Sequence, residues 1–147
     1  MSDHSVREVP KITRNGPIDA KELGELRIAV GWDRGDSTDE QILSRRFSYY
    51  TASTEDGALV GFISVMSDGI SDALLVDMMV HPTHHHEKVG TRLIRRAVAD
   101  VRDAGIQCVQ ITCEERLTPF YQQCGFHMCT GGIIDFNDKA WGVHHDE

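Results

Sequence analysis

The most continuous apolar stretch of the chain is Ala73 to Val80, ALLVDMMV, broken only by Asp77. Such a run predicts one strand buried on both faces. His81-Pro82 ends it, because proline cannot donate a ladder hydrogen bond. A polar loop follows, Thr83, His84, His85, His86 and Glu87. From Lys88 the period changes: Val89, Leu93, Ile94, Ala97, Val98 and Val101 fall on one stripe of an amphipathic helix, which Asp103-Ala104-Gly105 stops.

The flanking patterns are shorter. Val6 to Thr13, with Val6, Val9 and Ile12, reads as a first strand or an ordered arm, and Asn15-Gly16-Pro17 as a turn. Asp19 caps a helix through Ala20, Leu23, Leu26, Ile28 and Val30 that ends near Gly31. Ser37 or Thr38 caps a second, short helix through Ile42 and Leu43 to about Phe47. Phe47 to Ser53 and Ala58 to Met66 read as strands joined by the turn Glu55-Asp56-Gly57. Gly61, inside the second of them, signals a close approach by a neighbour. Ser67-Asp68-Gly69 turns the chain into the Ala73 strand.

Beyond the long helix, Ile106 to Cys113 reads as a strand, Arg116 to Cys124 as a short helix, and His127 to Cys129 and Ile133 to Phe136 as closing strands. Residues from about 138 to 147 read as a frayed tail. The strand-helix-strand passage from Ala73 to Cys113 predicts a crossover that makes its two strands parallel. The fold class is therefore α+β, a mixed and mostly antiparallel sheet flanked by about four helices.

Length and charge narrow the function. The 147 residues suit one domain, and 40% apolar with 26% charged residues is ordinary for a soluble protein. No apolar run approaches the ~20 residues that cross a bilayer, and the polar N-terminus lacks a signal-peptide core, so a cytoplasmic location is expected. Cys108, Cys113, Cys124 and Cys129 contain no C-x-x-C pair and read as reduced thiols, with two disulfides open as the alternative. A net charge of −8 argues against general nucleic-acid binding and suits a cationic substrate such as an amine. The loop and helix start run the other way. Lys88, Arg92, Arg95 and Arg96 against Glu87 give a local charge of +3. Strand, polar loop and amphipathic helix together present free backbone N–H groups to a phosphate.

Val80-His81-Pro82, seven residues, then Gly90 and Leu93-Ile94 resembles the acyl-CoA-binding motif of the GNAT N-acetyltransferase superfamily. Phe120-Tyr121-Gln122-Gln123-Cys124-Gly125-Phe126 is similar to the same family's F-Y-x-x-x-G-F signature. The resemblance covers about the C-terminal half. It implies a small GNAT domain spanning residues 1–147, with a splayed pair of parallel strands opened by a bulge near Met78-Met79; an ordinary ladder there is the alternative. It implies that the backbone of Met78, Met79 and Val80 holds pantetheine, and that His85, His86, Glu87, Lys88, Val89, Gly90 and Thr91 wrap the pyrophosphate. Three positions depart from the pattern: His85 replaces Gln or Arg, Lys88 replaces the first glycine, and Glu114 replaces an asparagine. Lys88 is expected to stay right-handed, with its ammonium against a phosphate.

By the same carry-over Tyr121 lies at the cofactor and is the candidate general acid for the leaving thiolate; the bland reading is a core aromatic. Asp77, Glu114 and Glu115 are candidate bases, or none of them is, and Asp77 could instead pair with a basic group. Trp32 and Tyr49, with Tyr50, are candidates for the acceptor-binding wall, or packing aromatics. No metal is expected, since His84-His85-His86 cannot all face one ion and suits a solvated loop. The resemblance implies an N-acetyltransferase that moves an acetyl group from acetyl-CoA, its cosubstrate, to a small-molecule or protein amine. The alternative is a degenerate acyl-CoA sensor or interaction module. Neither nucleic acid nor membrane is expected as a partner, and late exposed strands suggest a homodimer.

Overall fold

A computed structural model describes residues 8–35 and 39–136. Strands β1 (Lys11–Arg14), β2 (Ser48–Ser53), β3 (Leu59–Ser67), β4 (Asp72–Val80) and β5 (Cys108–Gln110) form one sheet in that order. The first four are antiparallel neighbours, and β5 runs parallel to β4. Four α-helices accompany them among the described residues: α1 (Ala20–Ala29), α2 (Asp39–Ser44), α3 (Val89–Asp103) and α4 (Thr118–Gln123). The mixed α+β architecture and the parallel pair follow the sequence pattern.

The chain divides into two compact units, Met1–Ile111 and Thr112–Glu147. In the first, β3 is the centre, and its two faces are distinct. A Cβ at Gly61 would meet Leu93 Cδ1 and Val89 Cγ1 at 3.0 Å and Ala52 Cβ at 3.1 Å, so α3 lies close on that face. Val89, Leu93, Ile94, Ala97 and Val101 are all buried, as their helical stripe requires. The next residue, Phe62, points to the other face. There it joins Leu23 and Leu26 of α1 and Met79 of β4.

Asp19 caps α1 as its spacing predicts, its carboxylate accepting from the Lys21 N–H at 2.9 Å. Several boundaries differ. The first strand is Lys11–Arg14; Val6 lies outside the described residues, as do Ser37, Thr38 and the tail. Helix α2 stops at Ser44, three residues early, and Phe47 N–H instead bonds Val65 C=O at 2.9 Å, starting β2. Strand β5 keeps three of its eight predicted residues, because its pairing with β4 ends at Leu74–Gln110. In the second unit, residues 127–129 and 133–136 are not strands. Ile133, Ile134 and Phe136 there are 47%, 85% and 97% exposed, so alternation alone did not supply a partner to pair with.

Candidate active site

Strand β4 carries the feature that matters. Phe62 faces Met79 and Ser64 faces Val76, so Asp77 and Met78 together oppose the single residue Ile63. This is a β-bulge, one residue earlier than expected, with Asp77 left-handed at φ 58°. Beyond it, the His81 N–H donates to Val60 C=O at 2.8 Å, which makes Val60–His81 and Phe62–Met79 the hydrogen-bonded pairs. Val80 therefore aims its N–H and C=O away from β3. On that side β5 has already stopped, so among the described residues no strand pairs with Leu75 to Val80 there, which leaves a strand edge open to pairing. His85 Nε2 stands 3.1 Å from the Val80 oxygen and, when it carries the proton, donates to it.

The loop after β4 is tied to itself. His84 Nδ1 lies 2.7 Å from Glu87 Oε2, and His81 Nδ1 accepts from the Thr83 N–H at 3.2 Å. Lys88 corrects the sequence expectation: it is left-handed, φ 61° and ψ 23°, and caps α3 with no side-chain hydrogen bond. His86 is also left-handed, φ 68°. The two positive-φ residues lie where the loop turns into α3. For a residue with a Cβ the cost is roughly 1–2 kcal/mol. The first intrahelical bond is Arg92 N–H to Lys88 C=O at 3.0 Å, so the N–H groups of Val89, Gly90 and Thr91 have no helical acceptor. Open edge, free helix N-terminus and local positive charge suit an extended amide chain ending in a phosphate. Among the described residues no group of His, Cys, Asp and Glu is placed to hold a metal ion.

On the α1 face, Tyr49 is half-buried, its ring 6.0 Å from that of Phe62 and its hydroxyl donating to the Gly16 carbonyl. Trp32 is 44% exposed just after α1. Tyr50 does not belong with them. It is wholly buried on the α3 face, its hydroxyl donating to Asp100 Oδ2 at 3.0 Å, because adjacent strand residues point to opposite sides. Asp77 does find the basic group that its position in an apolar strand demands: Arg46 NH2 lies 3.6 Å from Asp77 Oδ2. Arg46 Nε donates to the buried Ser64 hydroxyl at 3.2 Å, and that hydroxyl lies 3.5 Å from Val76 C=O. Sequence reasoning missed Arg46. Its only signal was the need of a strand carboxylate for a cation.

The second unit holds Tyr121. It is 7% exposed, with the rings of Phe120 and Phe126 edge-on at 5.1 and 5.8 Å. Burial above all, then the nearby Cys113 and Cys124, pushes its phenol up to about 12. Glu114 and Glu115 are exposed, and Glu114 Oε2 accepts from Arg116 Nε at 2.6 Å. None of the four cysteines is in a disulfide, and burial raises the thiol of Cys113.

Residues 45–128 match the family model described as Acetyltransferase (GNAT) domain. A curated relative from rice, Serotonin N-acetyltransferase 2, chloroplastic, is 29% identical over 76% of this chain. The chain spans 58% of that relative's own length. A GNAT-family acetyltransferase of Streptococcus pneumoniae superposes with a TM-score of 0.72 at 29% identity, over 85% of this chain and 96% of that one. Glucosamine-6-phosphate N-acetyltransferase from Arabidopsis thaliana shares the fold, with a TM-score of 0.70 at 16% identity, over 87% and 99%.

Proposed function

The chain belongs to the GNAT acetyltransferase family, and we propose that it moves an acetyl group from acetyl-CoA to a primary amine by direct attack on the thioester. The observation that carries this reading is the open edge of β4 followed at once by the free N-terminus of α3. Val80 would hold pantetheine by its N–H and C=O once His85 gives up the carbonyl, with Met78 and Met79 beside it. The N–H groups of Val89, Gly90 and Thr91 would meet the pyrophosphate, Gly90 leaving room for close approach. His85, His86, Glu87 and Lys88 line the same loop, and the Lys88 ammonium adds charge attraction. Bound acetyl-CoA supplies the electrophilic carbonyl and a thiolate leaving group.

The chain's own groups set the proton chemistry. Burial holds the Tyr121 phenol at about 12, so it is protonated at neutral pH and able to donate a hydrogen bond. In this reading Tyr121 donates a hydrogen bond to the departing thiolate and keeps its proton. The acceptor must arrive as the free amine. Glu114, exposed and joined to Arg116, is the candidate base, and Trp32 and Tyr49 are the candidate acceptor wall.

The rice relative is named for serotonin, so serotonin heads the amines to be tried. That relative is named chloroplastic, whereas the cytoplasm is our proposed compartment here; no described helix is long and apolar enough to cross a membrane. The test is calorimetry of acetyl-CoA with wild type and Gly90→Asp, then thiol release with an amine panel. Binding lost in Gly90→Asp, with amine-dependent thiol release, is the expected result. Binding without release for any amine would favour the sensor, and no binding would overturn the enzyme and the sensor alike and favour the interaction module.

A further inference from the structure

We propose that Asp77 serves the reaction through its backbone: clamped by Arg46, it makes the bulge that turns Val80 to the open edge, and it is a positioning residue, not the acceptor's base. The proposal rests on the acetyl-CoA reading above. Its observations are independent of it.

Asp77 is left-handed in mid-strand, a conformation for which aspartate and asparagine are, after glycine, the best suited residues. The extra residue it introduces decides the parity of everything after it. Without it, Met79 would turn its side chain from the α1 cluster to the α3 face, or Val80 would aim its amide groups back at β3. The turn of Val80 closes the edge that pantetheine needs. The side chain is occupied in holding this arrangement. Arg46, 16% exposed, lies 3.6 Å from Asp77 Oδ2 and reaches Ser64, whose hydroxyl is 3.5 Å from the carbonyl of Val76, the residue before the bulge. The ring Asp77, Arg46, Ser64, Val76 thus straddles the bulge from both strands. A carboxylate that balances a largely buried guanidinium is placed for structure, not for taking a proton from a bound amine.

Three variants separate backbone from carboxylate. Asp77→Ala, Asp77→Asn and Asp77→Gly all lack the charge and all remove the ion pair to Arg46. They differ in how readily they turn left-handed. Acetyl-CoA titrations and thermal melts of all three are expected to agree. Asp77→Ala should weaken binding about tenfold and melt lowest, while the Asn and Gly variants recover most of both. Arg46→Ala should weaken binding about two- to fivefold. Equal loss in all three Asp77 variants would show that the carboxylate itself is needed and would overturn the proposal. Wild-type-like binding by Asp77→Ala would overturn it too, and an unaffected Arg46→Ala would remove Arg46 from it. If wild type fails to bind acetyl-CoA, the proposed function falls, and the order of melting temperatures still decides whether Asp77 acts through its backbone.

Discussion

Leu75 and Met79 stand four residues apart on one strand, yet they face opposite sides of the sheet. Leu75 pairs with Val65, which shares the α3 face with Gly61, whereas Met79 pairs with Phe62 on the α1 face. An even separation keeps residues on one face in a regular strand. The single extra residue at Asp77–Met78 breaks that rule, and both side chains are buried as a result. The apolar run that announced a two-sided strand therefore announces two half-strands with opposite parity.

A related tight fit lies one residue before Phe62. Gly61→Ala would place its Cβ 3.0 Å from Leu93 Cδ1 and Val89 Cγ1, both fixed in a buried helix. Overpacking of this kind costs about 1–3 kcal/mol. The melting temperature is expected to fall by about 2–4 °C for each kcal/mol, without change in far-ultraviolet circular dichroism. A variant as stable as wild type would mean that α3 moves away freely at this point.

Much of this was legible because strong periodicity reports packing. The stripe of α3, the cap at Asp19 and the run of β4 each depend on residues within a few positions of one another. What escaped depends on distant partners. The bulge site is settled by which residue turns left-handed, and Asp77 is held by Arg46, thirty-one positions away. The closing strands failed for the same reason: alternation at residues 127–136 states a preference, and only a neighbour completes a ladder. Lys88 escaped as well. Its own preference gave the expectation of a right-handed lysine, and the turn into α3 holds it left-handed instead.

Lys88 should accordingly respond to relief of that strain. In Lys88→Gly the left-handed penalty of roughly 1–2 kcal/mol disappears, offset in part by the greater unfolded-state entropy of glycine. A net gain of about 0.5–1 kcal/mol is expected in urea unfolding, whatever happens to cofactor affinity. Lys88→Ala keeps the penalty and should show no gain. Equal stability of the two variants would argue against the left-handed cap.

Tyr121 predicts an alkaline weakness. Its folded phenol is raised to about 12, above the unfolded value of 10.0, so its contribution is fully present below pH 10. As pH rises further the unfolded chain ionises first, and stability falls until the folded phenol also titrates. For Tyr121 alone the loss is about 2–3 kcal/mol between these limits. Tyr121→Phe should flatten part of this slope in urea titrations at successive pH values. Tyr50, raised chiefly by burial, keeps the remainder. A slope unchanged by Tyr121→Phe would show that the phenol is not buried as described.

The buried end of Tyr50 offers the sharpest test of packing on the α3 face. Asp100 Oδ2 accepts from the Tyr50 hydroxyl at 3.0 Å and from Arg96 Nε at 3.1 Å, with Arg14 NH1 at 3.6 Å. The two arginines are part-exposed, and their pairing contributes little. The hydroxyl has less freedom, since Tyr50 is wholly buried and Ser48 donates to it at 3.2 Å. Asp100→Ala would leave that donor without its acceptor, at a cost of about 1–3 kcal/mol. Removing the donor first should abolish most of the penalty, because Tyr50→Phe leaves nothing to orphan. A double-mutant cycle is therefore expected to give a coupling of about 1 kcal/mol or more between the two positions. Additive losses would assign the role of Asp100 to its arginines instead, and would place the strength of this face in charge pairing across α3 and β1.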